Sequence, residues 1–288
     1  IWHAVHTVWD TTLVACVLTW ALLALARLPS KPRARDVARA GLVFGLLAFL
    51  NPAPLALLPA ALLFLLVRSP RRWHAVRNAW VFLVAILGVC TPCLLRNRIV
   101  MGVPTLRPNF GVELMIGNHD EAHGHPVPFR YHPSHVDAEL QRYRELGEVA
   151  YSAECGRRAR DWIRAHPSEF AALTALRARL FWFGDVPGAD PRTSAGQGTA
   201  GDAPSWIKFA SHAGLGLLGL LGALGARMAW GPRILFAGAL LLFQLPYVLT
   251  HVSERYRFPV DPLLALLAVL LVARLLAAAR PGAEGGEA

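Results

Sequence analysis

The sequence predicts an all-α polytopic membrane protein with about seven transmembrane helices and one large, mostly helical insertion on the outer face. Three observations predict it. Of 288 residues, 55% are hydrophobic and only 17% charged, and mean hydropathy is +0.39. The apolar residues gather in blocks, such as 11–26 and 214–224, rather than being dispersed as a soluble core needs. The basic residues sit mainly in the short gaps between those blocks. A run of about 17–25 mostly apolar residues matches the roughly 30 Å hydrocarbon layer as a helix.

The first span covers residues 8–26 and ends in a basic turn holding Arg27, Lys31, Arg33 and Arg35. A second apolar segment, 37–50, breaks at Asn51-Pro-Ala-Pro54, because two prolines cannot continue a helix. A third follows over 55–67 and gives way to Arg68, Arg71, Arg72 and Arg77 around Trp73. The fourth occupies 79–95, so residues 1–95 hold spans one to four. Residues 96–205 then turn polar and carry no spanning run. Spans five to seven, near 206–226, 234–250 and 260–279, occupy 206–279. The tail 280–288 is polar and Gly-rich, and reads as disordered and cytoplasmic.

Orientation follows from the positive-inside rule. The basic turns after spans one, three and five, with the C-terminal tail, fall on the cytoplasmic side. Parity places the Asn51–Pro54 turn, the 96–205 region and the turn around 253–259 outside. Within the outer region, residues 137–164 have helical spacing through Leu140, Tyr143, Leu146 and Ala150. Ser168 is a candidate cap for a second helix running to Phe183. The segment 184–204 is rich in Gly, Pro, Ser and Thr and reads as a loop.

The net charge of +10 would suggest nucleic acid in a soluble protein. Here the cations track the membrane turns, so no nucleic-acid partner is expected. The four cysteines, Cys16, Cys90, Cys93 and Cys155, form no disulfide framework. Cys90-Thr-Pro-Cys93 has redox spacing without a thioredoxin context, and reads as two small apolar fillers. Glycines at 214, 216, 219, 222 and 225 thin one side of the fifth span, and Gly41 and Gly45 thin the second, for close helix approach. His119, His123 and His125, with His132 and His135 nearby, could in principle ligate a metal. Their spacing matches no familiar zinc signature, so a His-rich surface loop is the expectation. No metal is assigned, and a divalent-metal requirement stays open.

The most informative stretch is the turn at 251–262, with Glu254, Arg255, Arg257 and Asp261 between two apolar runs. Charge so placed needs a polar partner, and Arg255 and Arg257 lie on the side where positive residues are disfavoured. Arginine presents a planar fork suited to phosphate. Arg96 and Arg98 emerge where span four reaches the same side. Snorkelling to the interface accounts for them, as does a basic rim shared with Arg255 and Arg257. For Glu254 and the arginines, a salt bridge closing the turn is compatible with a rim in which one arginine stays free.

Six segments in order carry a resemblance. They are Thr91-Pro-Cys-Leu-Leu-Arg-Asn-Arg98, Asn109-Phe-Gly-Val-Glu-Leu-Met-Ile-Gly-Asn118, Gly147-Glu-Val-Ala-Tyr151, His166-Pro167, Phe181-Trp182 and Glu254-Arg-Tyr-Arg-Phe-Pro259. Together they resemble the C-terminal part of a bacterial GT-C membrane glycosyltransferase, similar to the family 39 protein mannosyltransferases and the lipid A aminoarabinose transferases. The resemblance runs from about Trp9 to Leu276. Position 93 departs from it, with Cys where an aromatic is expected, and the His119–His125 run is not a family feature.

The resemblance implies an enzyme of the inner (plasma) membrane that moves a sugar from a polyprenyl-phosphate donor to an acceptor on the outer face. The donor is a substrate, and no cofactor is implied. The implied binding residues are Arg96, Arg98, Glu254, Arg255, Tyr256 and Arg257. Its general-base carboxylate belongs to a first outer loop, expected upstream of Ile1. The chain opens without an initiator Met and is read as the later part of a longer protein, whose earlier part is a partner beside membrane lipids and an unidentified acceptor. Readings from other classes are a transporter or lipid flippase, and a non-catalytic scaffold. A transporter needs ionisable groups at mid-membrane, whereas Gln244 is the notable polar residue within the spans.

Overall fold

The computed structural model describes residues 10–69, 71–124, 131–187, 205–225 and 229–279, and among these every regular element is helical. Among the described residues four helices are long and apolar enough to cross a membrane: Arg72–Met101, Ser205–Gly225, Trp230–Leu249 and Glu254–Ala278. Thr11–Ala26 and Ala53–Arg68 are shorter apolar helices.

Helix α1 (Asp10–Ala26) packs on α2 (Ala34–Leu50), which lies along α4 (Arg72–Met101). Gly41 and Gly45 permit that approach: a Cβ at either would press on the backbone of Phe82 or Ile86. The α2 helix ends at Asn51, whose Oδ1 accepts the Ala53 N–H at 3.0 Å. The side chain thus satisfies the one backbone donor between Pro52 and Pro54, which carry no N–H and end the helix ladder. A 3-10 turn, Ala53–Leu57, leads into α3 (Leu58–Arg68), which also packs on α4. The 30 residues of α4 extend about 45 Å at 1.5 Å per residue, beyond the hydrocarbon layer. The helix runs through Pro92 and stops at Gly102, whose φ of 79° is the left-handed stop that glycine adopts without a Cβ penalty.

Beyond α4, a short α5 (Phe110–Gly117) packs on α7 (Glu148–Ala165), and α6 (Asp137–Leu146) precedes α7. The single helix expected over 137–164 is two helices. They part at Gly147, with φ 78° and ψ 162°, a conformation open to glycine and not to the flanking residues. This unit has its own small core, including Val112, Met115, Tyr151 and Cys155. Helix α8 (Pro167–Phe183) returns the chain to the apolar bundle. Its cap position is His166 rather than Ser168, with Pro167 in the first turn, where a missing N–H costs nothing. Ser168 Oγ instead bonds Glu169 at 2.8 Å.

Helix α9 (Ser205–Gly225) packs along α12 (Asp261–Ala279). Gly216, Gly219 and Gly222 are its buried residues; Gly219 and Gly222 meet Leu264 and Leu267 of α12, and Gly216 meets the Trp182 carbonyl. Helix α10 (Trp230–Phe243) packs on α3, and α11 (Leu245–Leu249) continues it after Gln244. All four cysteines are free thiols. The outside of the bundle remains apolar, with Trp80, Ile99, Leu224 and Leu276 all exposed, which suits a surface facing lipid tails rather than water.

Candidate functional site

A cavity of about 530 Å³ opens where three breaks in helix meet. The Asn51–Ala53 turn supplies one wall, and Arg107, Asn109, Phe110 and Glu113 from the approach to α5 supply a second. Tyr247, Thr250, His251, Arg255 and Tyr256 supply the third, with Thr11 and Val14 of α1 at the side. Each break frees backbone and side chains from the helix ladder, so polar groups converge at the end of an apolar bundle.

Within the cavity, Asn109 Nδ2 donates to Glu113 Oε1 at 2.9 Å. Glu113 Oε2 lies 3.6 Å from His251 Nε2, which is 3.0 Å from the Tyr256 hydroxyl. Tyr256 stacks on Tyr247 with ring centroids 4.6 Å apart, and the Arg255 guanidinium lies over the Tyr256 ring at 5.4 Å. Arg107 Nη2 donates to the Leu50 carbonyl at 2.8 Å, joining the α5 approach to the end of α2.

Burial pushes the Glu113 carboxyl above the usual carboxylate range, against the opposing pull of Arg255, the Asn109 bond and Arg107. Burial lowers His251 to about 4, so at neutral pH its contact with Glu113 joins a neutral imidazole to a carboxyl and is no ion pair. The site therefore offers two guanidinium groups, one carboxyl and an aromatic floor. That combination can hold a phosphate and a hydroxyl-bearing group side by side.

Of the residues singled out in the sequence, Arg255 and Tyr256 line this cavity. Arg257 does not: it is 1% exposed. Its Nε pairs with Asp261 Oδ1 at 2.8 Å, and its Nη1 donates to the carbonyls of Trp182 at 2.6 Å and His212 at 2.8 Å. The turn is thus closed by Arg257–Asp261, and Glu254 is exposed outside the lining. Arg96 and Arg98 are also outside it. Both are exposed near the end of α4, with Arg96 bonding Asn97 Oδ1 at 2.7 Å and Arg98 bonding the Gly102 carbonyl. The four arginines expected to share one rim therefore separate, and of them Arg255 alone lines the cavity.

Arg107 and Glu113 are the lining charges that sequence reasoning missed. Asn109 and Glu113 lie in a quoted motif and have the i, i+4 spacing of a helical pair, which was a usable signal. Arg107 follows Gly102 and Pro104 in an irregular stretch, with no periodicity to place it.

Of the histidine run, His125 lies outside the described residues. His119 is buried, and its Nδ1 accepts the Glu121 N–H at 3.2 Å. Its ring packs edge-on against Tyr131 at 4.9 Å, and burial lowers its pKa. Asp120 Oδ1 accepts the Trp162 indole N–H at 2.6 Å. No group of three potential metal ligands occurs among the described residues.

Behind the cavity, fully buried Arg177 of α8 bonds Asn118 Oδ1 and the Val248 carbonyl, each at 3.2 Å, and also the Gly117 carbonyl. Asn118 Nδ2 in turn reaches the Leu249 carbonyl at 2.9 Å. One guanidinium thereby ties the end of α5 to α11, and with it the two walls that carry Glu113 and His251.

No family model, no curated protein and no solved structure matches this chain.

Proposed function

We propose that this chain is part of a GT-C type membrane glycosyltransferase, with seven spans and residues 96–205 on the outer face of a bacterial inner membrane. It transfers a sugar from a polyprenyl-phosphate donor to an acceptor on that face. One observation carries the reading: Arg107, Arg255 and Glu113 line a single cavity at the end of an apolar helix bundle.

In this reading Arg107 and Arg255 grip the donor phosphate, and the polyprenyl chain leaves the cavity along the apolar helices. Glu113 and Asn109 accept and donate hydrogen bonds to sugar hydroxyls beside it. The acceptor oxygen attacks the anomeric carbon, the bond from that carbon to the phosphate oxygen breaks, and the electron pair leaves with the lipid phosphate. Paired guanidiniums stabilise the charge that develops there. The acceptor proton passes to a general-base carboxylate.

The test is transfer from a labelled polyprenyl-phosphate sugar by the full-length protein, comparing Arg107→Ala and Arg255→Ala. Loss of transfer in both supports the reading; wild-type rates in both sink it.

A further inference from the structure

A second cavity, of about 300 Å³, lies at the other end of the α1–α4 bundle and is lined by Lys31, Pro32, Arg71, His74, Arg77 and Asn78. Its position is fixed by α2. That helix starts just after Lys31 and Pro32 and ends at Asn51 in the first cavity. Seventeen residues at 1.5 Å each separate the two by about 25 Å. The two polar cavities therefore sit roughly a hydrocarbon thickness apart.

The second cavity is held open by bonds across the two basic turns. Arg68 Nη2 donates to the Leu28 carbonyl at 2.8 Å. Arg77 Nη2 donates to the Pro32 carbonyl at 3.3 Å and to Asn78 Oδ1 at 3.0 Å. Asn78, fully buried, reaches Ser69 Oγ at 3.2 Å. Four features then point to an anion. None of the lining residues is acidic, and three are cationic. The His74 Nδ1 atom is buried with no hydrogen-bond partner. The first turn of α4 starts here, with no side-chain cap and no acidic residue, leaving its N–H groups and positive helix end uncompensated. Beside it Trp73 is 72% exposed, as an indole at headgroup level would be.

We propose that this cavity binds the phosphate of an anionic lipid headgroup in the leaflet opposite the first cavity. Lys31 and Arg71, both exposed at its mouth, are the capturing cations, while Arg77 and Asn78 form the floor. A lipid so held would fix the depth of α2, whose far end leads into the first cavity. The inference depends on the membrane reading of the bundle and not on the transferase reading.

The experiment uses the full-length protein, delipidated and titrated with micelles containing phosphatidylglycerol, phosphatidylcholine or neither, with thermal stability as the readout. Soluble glycerol 3-phosphate is a further arm, and Lys31→Ala/Arg71→Ala is the variant. Phosphatidylglycerol is expected to stabilise the wild type where phosphatidylcholine does not. The double variant should need about thirtyfold more of it, since each cation near an anionic surface contributes about fivefold in affinity. Equal half-saturation in wild type and variant overturns the site. Full reproduction of the shift by glycerol 3-phosphate overturns the lipid as its source. Transfer activity does not enter the readout, so failure here leaves the first cavity's reading untouched.

Discussion

Arg255 and Arg257, two residues apart, do opposite jobs: Arg255 lines the cavity, while Arg257 is buried and bonded to Asp261 and to the carbonyls of Trp182 and His212. Removing one partner of a buried ion pair leaves the other charge unpaired, at a cost of about 3–5 kcal/mol. Arg257→Ala should therefore lower the unfolding temperature sharply. Arg255→Ala should leave it nearly unchanged. Thermal unfolding of both variants in the same detergent checks the contrast, and equal losses would refute the division of labour.

Gly117 and Gly88 make a second contrast. A Cβ at Gly117 would collide with the Thr250 carbonyl, whereas one at Gly88 meets nothing within 4 Å. Gly117→Ala should force α5 away from the end of α11 and destabilise by about 1–3 kcal/mol, the usual range for overpacking. Gly88→Ala should be neutral or stabilising by about 0.5–1 kcal/mol, the helical advantage of Ala over Gly. Denaturation midpoints of the two variants decide it.

His251 predicts a pH dependence with a definite sign. Its pKa is lowered from 6.5 to about 4, chiefly by burial. Between those values the unfolded chain binds a proton that the folded chain does not. Stability should be full above about pH 6.5 and fall as pH drops toward 4, by up to about 3 kcal/mol from this group. In His251→Phe that part of the slope should disappear, as read from unfolding temperature across the same pH range.

Glu113 governs the acid limb of activity in the proposed transferase. Burial raises its carboxyl and Arg255 opposes the rise most strongly among its neighbours. The rate of sugar transfer should begin to fall above the ordinary carboxylate range as pH decreases. Arg255→Lys, which keeps the charge and loses the fork, should retain that limb, while Glu113→Gln should lose most of the activity and move the limb down to the ordinary carboxylate range of the general base. A pH profile of kcat/KM reports both.

Much of the helical architecture was legible because apolar blocks and their punctuation are local. Asn51-Pro-Ala-Pro54 announced its turn, and the glycines of α9 announced a close neighbour. Gly147 was also readable, as a glycine after a periodic run, but the apolar spacing on either side masked it. The site was harder to read, because it is assembled from distant contacts. Arg107 finds its partner at Leu50, 57 residues away, and Arg177 joins segments 60 and 71 residues away. Arg255 and Arg257 look equivalent in sequence. Only the Trp182 and His212 carbonyls, brought by α8 and α9, bury one and leave the other at the cavity.

In the proposed transferase Arg107 and Arg255 hold a lipid phosphate in the first cavity, and equilibrium binding tests this without requiring turnover. Affinity of the full-length protein for a polyprenyl-phosphate sugar should fall about tenfold or more in Arg107→Ala and in Arg255→Ala, since a charge-assisted bond contributes about 1.5–3 kcal/mol. Arg96→Ala and Arg98→Ala, outside the cavity, should bind as the wild type does. Undiminished binding in Arg107→Ala and Arg255→Ala, or an equal loss in all four variants, would contradict the account.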